Sequence, residues 1–345
     1  MKKIKVFLGG YVNYSNAQNL NCKSIAESLD KNKFEVYALR THYGNNKSFT
    51  YRTFFCFRPF RITSHLGFLW GFIRSDVMYL PKHIDTPSWV LKISNFFKKP
   101  IFTTIEGNVS DLQKKHNLLS LFASKEKMQE HFYYFNDVYA ITEDLILNSN
   151  NIINVSRKTL KIGVNITSKY SIKDKINSII YVGNLTKNKC VDEFLKLAVL
   201  FPKLDFNIIG DGPERIKLLK LATDNVNFLG FLDNDQVFQV LQKSDILFLP
   251  SKSEGFPKVI LEAASVGIPS IVYNTYGASN WMDNNINGFI VNDLKEVKDL
   301  IHNLLVKPEF LEQISKNVIS LAQKYDWKLI IKDWEKIIEN LFYEK

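Results

Sequence analysis

Residues 244–272 read S-D-I-L-F-L-P-S-K-S-E-G-F-P-K-V-I-L-E-A-A-S-V-G-I-P-S-I-V. Ile246 to Leu249 is an apolar run without alternation, which is typical of a strand buried on both faces of a parallel sheet. Pro257 suits the first position of a helix because its missing N–H would have no partner there, and Gly267 with Pro269 is typical of a helix end. The stretch therefore predicts a strand, a polar loop, a helix and a second strand, which is one step of an α/β fold.

The loop before this helix has the features of an anion site. The free N–H groups and the positive dipole end of a helix stabilise negative charge, so we expect a phosphate to bind at Gly255 and Phe256. Gly255 has no side chain and lets the backbone approach a ligand closely. Glu254 and Glu262 add carboxylates that suit sugar hydroxyls. The alternative is that Glu254 caps the helix and that Glu262 lies on a solvated helical face.

The same residues resemble a known signature. The pattern E-x7-E from Glu254 to Glu262, written S-E-G-F-P-K-V-I-L-E-A and followed by G-I-P and N-G-F-I-V, resembles the donor site of retaining GT-B glycosyltransferases, specifically glycosyltransferase family 4. The resemblance is strong from Ile179 to Val291 and weak before Val138. It implies an α/β protein of two Rossmann-like domains, with parallel sheets facing an interdomain cleft and a C-terminal helix that crosses back to the first domain.

Length and composition limit the class of protein. The chain of 345 residues suits two domains, and its net charge of +10 admits anionic partners. Cys22, Cys56 and Cys190 form no C-x-x-C pair or zinc spacing, which fits a reducing cytoplasm. The apolar run from Ile4 to Leu8 is too short for a signal peptide, and we expect no membrane span. Dispersed lysines, with no zinc finger and no sustained basic helix, argue against nucleic acid.

The two halves of the chain share one pattern. One pattern occurs in Ser75–Pro81 and again in Ser244–Pro250: two polar residues, an apolar run that predicts a buried strand, and a proline after it. Its presence in both halves supports two similarly wound α/β domains. We predict an N-terminal acceptor-binding domain over residues 1–165, completed by an amphipathic helix over 327–345. A donor-binding domain is predicted over residues 166–326.

Candidate residues of the first domain follow its predicted strands. Lys3–Leu8 predicts a strand that runs into a turn at Gly9 and Gly10, without the G-x-G-x-x-G of dinucleotide enzymes. Glu106 and Asn108 follow another buried strand, and ligands of open α/β sheets bind outside the carboxyl ends of strands. The resemblance implies acceptor-side roles for these residues and a sugar contact for Glu106. A plain turn carboxylate is the alternative for Glu106.

The resemblance also implies a diphosphate clamp. Where the family has G-R-L-x-x-x-K-G, residues 183–190 read G-N-L-T-K-N-K-C. Lys189 therefore matches the clamp lysine, whereas Asn184 replaces the arginine and Cys190 replaces the second glycine. Because asparagine offers a neutral donor in place of a fixed charge, we expect the diphosphate to rely mainly on Lys189, the helix start at Gly255 and Phe256, and Lys187. Lys258 is a further candidate.

A second glycine turn, Gly210-Asp211-Gly212-Pro213, resembles the family's G-x-G-P, near which the base or diphosphate of the donor is held. The implied catalytic residues are Lys189, Glu254 and Glu106. The implied donor-binding residues are Gly183, Asn184, Lys189, Gly210, Gly212, Glu254, Gly255, Phe256, Pro257, Lys258 and Glu262.

Metal-dependent chemistry has little support in the sequence. Asp233-Asn234-Asp235 matches a D-x-D pattern, but it opens a helical stretch, and helix capping is the favoured interpretation. The histidines show no ligand spacing. We expect no metal and no cofactor other than a nucleotide-diphosphate sugar as co-substrate.

Aromatic and basic residues alternate between Tyr51 and Arg74. Such a mixture suits an interfacial segment on an anionic membrane that carries a lipid-linked acceptor. The alternative is a segment packed on the core, with arginines that extend their charged ends to solvent.

These features predict a cytoplasmic hexosyltransferase, peripheral at the inner face of the membrane. It would use a UDP- or GDP-sugar, retain the anomeric configuration and act on a glycan or lipid-linked saccharide in surface polysaccharide biosynthesis. Asn184 and Cys190 motivate an alternative, a GT-B protein that binds nucleotide sugars or glycans with weak or no catalysis. A dinucleotide enzyme is disfavoured by the missing glycine fingerprint.

Overall fold

The structure is a computed structural model that describes residues 2–14, 16–44, 48–107, 109, 118–149, 152–166 and 169–344. The chain divides into two compact units. The first comprises Met1–Gly163 together with Trp327–Lys345, and the second comprises Val164–Asp326.

The first unit contains a parallel sheet. Its strands are β1 (Ile4–Tyr11), β2 (Phe34–Thr41), β3 (Arg52–Cys56), β4 (Val77–Tyr79), β5 (Ile101–Ile105) and β6 (Asp137–Ala140). Its first helices are α1 (Ala17–Ser28), α2 (Phe60–Arg74), α3 (Ser88–Phe96), α4 (Lys125–Tyr133) and α5 (Glu143–Ser149). The strands pair in parallel in the order β3-β2-β1-β4-β5-β6.

The second unit repeats this arrangement. Its strands are β7 (Ser178–Val182), β8 (Asp205–Ile209), β9 (Val226–Gly230), β10 (Ile246–Leu249), β11 (Ser270–Tyr273) and β12 (Phe289–Val291). Its helices are α6 (Val191–Leu200), α7 (Arg215–Leu219), α8 (Asn234–Lys243), α9 (Lys258–Ser265), α10 (Leu294–Val306) and α11 (Pro308–Gln323). The order is β12-β11-β10-β7-β8-β9, again with parallel pairs.

Both sheets reverse their strand order at one point, between β1 and β4 in the first unit and between β7 and β10 in the second. This order is that of Rossmann-like folds, in which ligands bind outside the carboxyl ends of the strands at the reversal. The predicted α/β class with two Rossmann-like parallel sheets is confirmed. We refer to the reversal in the second unit, at β7 and β10, as the switch point.

Residues 244–272 fold as their sequence predicts. β10 is buried along its whole length, and Leu247 aligns in parallel with Ser270 of β11. The helix α9 follows the polar loop, and Gly267 ends it with a left-handed backbone at a φ of 86°. Local signals in this stretch therefore agree with the packing around it.

The last helix, α12 (Trp327–Tyr343), belongs to the first unit. Trp334 is fully buried on it, and its ring centroid lies 4.9 Å from that of Tyr79 in β4. Its indole Nε1 donates a hydrogen bond to the Lys161 carbonyl at 2.9 Å. The predicted return of the C-terminal helix to the first domain is therefore confirmed.

The predicted turn at Gly9 and Gly10 is wrong, because both residues lie within β1. A Cβ atom on Gly9 would lie 2.8 Å from Leu80 Cδ2, and one on Gly10 would lie 2.6 Å from Cys22 Sγ. Tertiary packing on both faces of the strand therefore explains these glycines. In the part of the chain that the structure describes, no helix is both long and apolar enough to cross a bilayer.

Candidate functional site

Two loops meet at the switch point of the second unit. The loop of residues 183–190 follows β7, and the loop of residues 250–257 follows β10. The backbone N–H of Lys252 in the second loop donates to the carbonyl of Asn188 in the first at 3.2 Å. The parallel pairing of β7 with β10 places both loops at the edge where ligands bind in such sheets.

An ion pair joins the two loops. Lys189 Nζ lies 2.5 Å from Glu254 Oε1, and the two side chains are only 20% and 13% exposed. Charges this far removed from water interact more strongly than a surface pair does. The structure thus brings together two residues that the sequence predicts as catalytic from separate motifs. Glu254 does not cap α9, so the capping alternative is wrong.

The start of α9 has no side-chain cap. Pro257 is the N-cap and not the first helical position that the sequence predicts, and no side chain accepts a hydrogen bond there. Lys258 is the first helical residue and is half-buried. The Phe256 ring fixes the loop, with its centroid 5.0 Å from that of Trp281 and 5.5 Å from that of Tyr325. A helix start of this kind, next to half-buried Gly255, suits an anion.

Glu262 lies on the buried side of α9. Glu262 is only 8% exposed, so the alternative of a solvated helical face is wrong. Burial raises the pKa of the Glu262 carboxyl above its ordinary value, and the charge of Lys258 opposes that rise in part. Hydroxyl donors of a ligand would stabilise the ionised form of this carboxylate.

Glycines allow the loops after β7 and β8 to pack together. A Cβ on Gly210, where φ is 138°, would lie 1.9 Å from the Gly183 carbonyl oxygen. A Cβ on Gly212 would lie 2.5 Å from the Leu185 carbonyl oxygen, and Leu185 N–H donates to the Asp211 carbonyl at 2.9 Å. Close backbone contact accounts for these glycines, and their donor-binding role stays a prediction. Asn184 is exposed in the same region.

Cys190 has a left-handed backbone, with a φ of 50° and a ψ of 41°. This conformation explains why the resembled signature has glycine at the corresponding position, since only glycine adopts it without steric cost. Its Sγ makes weak contacts with the Lys187 and Asn188 carbonyls at 3.6 and 3.8 Å. The departure from the signature therefore places a residue with a side chain in a strained backbone conformation.

The first unit contributes a separate cluster. Glu106 follows β5, and its Oε1 accepts from Asn21 Nδ2 and from Thr104 Oγ1, each at 3.4 Å. Gly9 and Gly10 are buried in β1, and Asn108 lies outside the described residues. These contacts hold Glu106 in place and leave both its predicted sugar contact and the alternative of a plain turn carboxylate open. The acceptor-side roles of these residues stay predictions.

Two buried hydroxyls in the loops after β10 and β11 were not predicted. Ser251 Oγ follows β10, and the Tyr276 hydroxyl lies in the loop after β11; among the described residues neither has a hydrogen-bond partner. Applying the carboxyl-end rule to β11 as well as to β10 would have directed attention to Tyr276. Its burial, however, depends on tertiary packing.

The D-x-D stretch forms a helix cap, as the favoured interpretation predicts. Asp233 accepts from the Gln236 N–H at 2.9 Å, while Gln236 Oε1 accepts from the Asp233 N–H at 3.0 Å. Across the described ranges, no three His, Cys, Asp or Glu residues are grouped in a way that could hold a metal ion.

A family model described as "Glycosyl transferases group 1" matches residues 165–321. Residues 165–321 are thus similar to group 1 glycosyl transferases. The matched residues contain both loops of the switch point and α9, whereas Glu106 lies outside them.

A relative from Haemophilus influenzae carries the name "Uncharacterized glycosyltransferase". It is 31% identical over 202 residues, which cover 55% of this chain and 56% of that protein. The chain spans about half the length of the curated relatives that it matches.

Solved structures share the fold of the whole chain. Sucrose-phosphate synthase from Thermosynechococcus elongatus has a TM-score of 0.83 at 14% identity, with 100% of each chain covered. Anabaena HepE in complex with UDP-glucose has a TM-score of 0.77 at 15% identity, with 98% of this chain and 100% of that chain covered. The chain therefore has the GT-B fold that its signature implies.

Replacing Cys190 should separate backbone strain from side-chain contacts. Cys190→Gly is expected to be more stable than Cys190→Ala by about 1 kcal/mol in the free energy of unfolding, because alanine keeps the left-handed strain. Both variants lose the Sγ contacts, so alanine is the matched control, and urea unfolding measures the difference. Equal stabilities would show that this backbone conformation is not strained.

Glu262 should make stability depend on pH. Since its folded pKa is raised, the folded state binds a proton at Glu262 more tightly than the unfolded state does, and stability is lost as pH rises from the unfolded pKa through the folded one. Glu262→Gln removes this loss, so its free energy of unfolding relative to wild type is expected to increase from pH 4 to pH 8. Exposed Glu309→Gln is the control, and parallel curves for Glu262→Gln and wild type would contradict the assignment.

Proposed function

We propose that the protein is a glycosyltransferase that moves a hexosyl unit from a nucleotide-diphosphate sugar to a hydroxyl of a glycan or lipid-linked saccharide. The observation that carries this proposal is the pair of Lys189 and Glu254. It places an ammonium group for a diphosphate beside a carboxylate for a sugar, where ligands of such sheets bind. The similarity to group 1 glycosyl transferases supports the same activity.

In the proposed complex the diphosphate lies against Lys189 and the start of α9, where the ammonium and the helix dipole offset its charge. Glu254 accepts hydrogen bonds from sugar hydroxyls, and Glu262 accepts them from the ribose. Gly210 and Gly212 lie on the side of the base. UDP is the first candidate nucleotide because HepE, which shares the fold, was crystallised with UDP-glucose; GDP is the second.

The proposed transfer retains the anomeric configuration. The bond from the anomeric carbon to the diphosphate breaks, and its electron pair leaves with the diphosphate. The acceptor oxygen bonds to that carbon on the same face, while the departing phosphate oxygen takes the acceptor proton. Lys189 offsets the charge that develops on the leaving group. The proposal requires no metal or other cofactor.

The acceptor is assigned to the first unit. Gly9, Gly10, Glu106 and Asn108 remain its proposed acceptor-side residues, with Glu106 as the carboxylate for a sugar hydroxyl. We place the reaction in the biosynthesis of surface polysaccharides, in the cytoplasm at the inner face of the membrane.

A membrane-facing surface is part of this proposal. On α2, Ile62, Leu66, Leu69 and Ile73 form an apolar stripe with exposures of 61%, 50%, 39% and 66%. The opposite side of the helix packs on the core through Phe68, which is fully buried. The packed alternative thus describes one side of α2 only, and the stripe is available to another surface.

Charge around the stripe favours an anionic bilayer as its partner. Arg58 and Arg61 lie at the start of α2 and Arg74 at its end, and all are exposed. The exposed Phe97 ring after α3 extends the apolar surface, with its centroid 6.0 Å from that of Phe72. An amphipathic surface of basic and apolar groups binds at the headgroup boundary.

The nucleotide site is tested by ligand binding and turnover. UDP, GDP, ADP or one of their sugars is expected to raise the melting temperature, because a ligand that binds the folded state stabilises it. Lys189→Met should lower the transfer rate by about 10²- to 10³-fold, since one donor to developing charge is lost. Exposed Lys203→Met of the same unit should leave it unchanged.

Equal transfer rates for Lys189→Met and wild type would remove Lys189 from the mechanism. Binding of a nucleotide sugar without turnover in any acceptor mixture would favour the non-catalytic binding protein.

The membrane surface is tested with vesicles. Wild type is expected to sediment with phosphatidylcholine vesicles that contain phosphatidylglycerol about 10²-fold better than without it, because each basic residue adds about 1 kcal/mol near an anionic surface. The double variant Leu66→Glu with Ile73→Glu should lose this binding. Ile216→Glu, at an exposed apolar position of α7, is the matched control. Binding that does not depend on the anionic lipid, or that the double variant retains, would contradict the proposal.

A further inference from the structure

The loop after β11 contains a buried hydroxyl and contacts the loop that carries Glu254. Tyr276 is 7% exposed, and its hydroxyl finds no hydrogen-bond partner among the described residues. The neighbouring Thr275 donates to the Ser251 carbonyl at 3.3 Å, which ties this loop to the loop that carries Glu254. Buried hydroxyls are bonded in most native structures, so an unpartnered one requires an explanation.

The Tyr276 hydroxyl is suited to donate a hydrogen bond to Glu254. Burial raises the pKa of Tyr276 well above its ordinary value, and the charge of Glu254 raises it further. The hydroxyl therefore keeps its proton at neutral pH, and the contact between Thr275 and Ser251 places its loop against the loop that carries Glu254. A neutral phenol beside a carboxylate is a natural hydrogen-bond donor.

A second nearby tyrosine is already engaged. The charge of Glu254 also raises the pKa of Tyr181, but the Tyr181 hydroxyl donates to the Asn184 carbonyl at 3.0 Å. Of these two tyrosines, Tyr276 alone has a hydroxyl without a described partner.

Binding of the donor would remove the present partner of the Glu254 carboxylate. In the present structure Glu254 is held by Lys189, the residue to which the proposed function assigns the diphosphate. When Lys189 turns to the diphosphate, a partly buried carboxylate loses its counter-charge. A partly buried carboxylate without a partner is costly, so another hydrogen-bond donor would stabilise it there.

We propose that Tyr276 is a positioning residue that donates a hydrogen bond to Glu254 once Lys189 engages the diphosphate, and so holds the carboxylate for the hydroxyls of the donor sugar. The exchange of partners couples the diphosphate end of the site to the sugar end. This inference rests on the proposed function. Tyr276 acts through Glu254 and not on the reacting atoms.

The partnership can be tested without a ligand. Tyr276→Phe in wild type is expected to leave the melting temperature unchanged or to raise it, because it removes an unpartnered hydroxyl. In the Lys189→Met background Glu254 is expected to turn to the phenol, so the same change should lower the melting temperature. Tyr181→Phe is the matched control and should lower it in both backgrounds, since its hydroxyl is bonded in the resting protein.

Additive effects of Tyr276→Phe and Lys189→Met would overturn the partnership. So would a lower melting temperature for Tyr276→Phe alone, because that result would show a hydroxyl already bonded in the resting protein.

Titration calorimetry with UDP and UDP-glucose tests the role in the complex, and it also serves if Lys189→Met does not fold. Tyr276→Phe should bind UDP as tightly as wild type but UDP-glucose at least about tenfold more weakly, since a hydrogen bond to a charged group is lost. Unchanged UDP-glucose affinity would overturn the positioning role while leaving the proposed function intact. If wild type binds neither ligand, the proposed function fails for UDP donors, and the melting temperatures still decide the Tyr276–Glu254 partnership.

Discussion

The contact between Lys189 and Glu254 is the interaction on which the site depends. The two residues are 65 positions apart in the sequence, and they meet because β7 and β10 are neighbours at the switch point of the sheet. A partly buried charge is stable only when it is paired. Each loop therefore holds the other in place, and the open start of α9 lies beside them with its dipole directed at the same space. The strand order of the sheet thus brings the two charges of the site together.

The sequence predicts what local signals determine. The buried strand and the stop at Gly267 follow from composition and backbone preferences, and both are confirmed. Tertiary contacts decide the rest. The sequence predicts a turn at Gly9, but the residue lies inside β1. Its position requires glycine because Leu80 packs where a side chain would be. The burial of Glu262 and the unpartnered hydroxyl of Tyr276 depend on neighbouring elements that no local pattern specifies.

Several positions around the switch point are less stable than they could be. Cys190 adopts a left-handed backbone, Glu262 is a buried carboxylate with a raised pKa, and Tyr276 buries an unpartnered hydroxyl. Each lies in a loop at the carboxyl edge of the sheet or on the helix that follows one. Proteins retain such local costs where function requires them. The second unit thus concentrates backbone strain and buried polar groups around the proposed donor site.

The position of α12 at the end of the chain affects when the core of the first unit can be completed. A ribosome completes the five earlier helices and six strands described for the first unit long before it synthesises Trp334, and the whole second unit is translated in between. Until then, Tyr79 and Phe102 lack the indole that covers them. The second unit, whose segments are contiguous, can close its core first, although it is the later one to begin. Such an order would differ from the usual one, in which the N-terminal domain folds first.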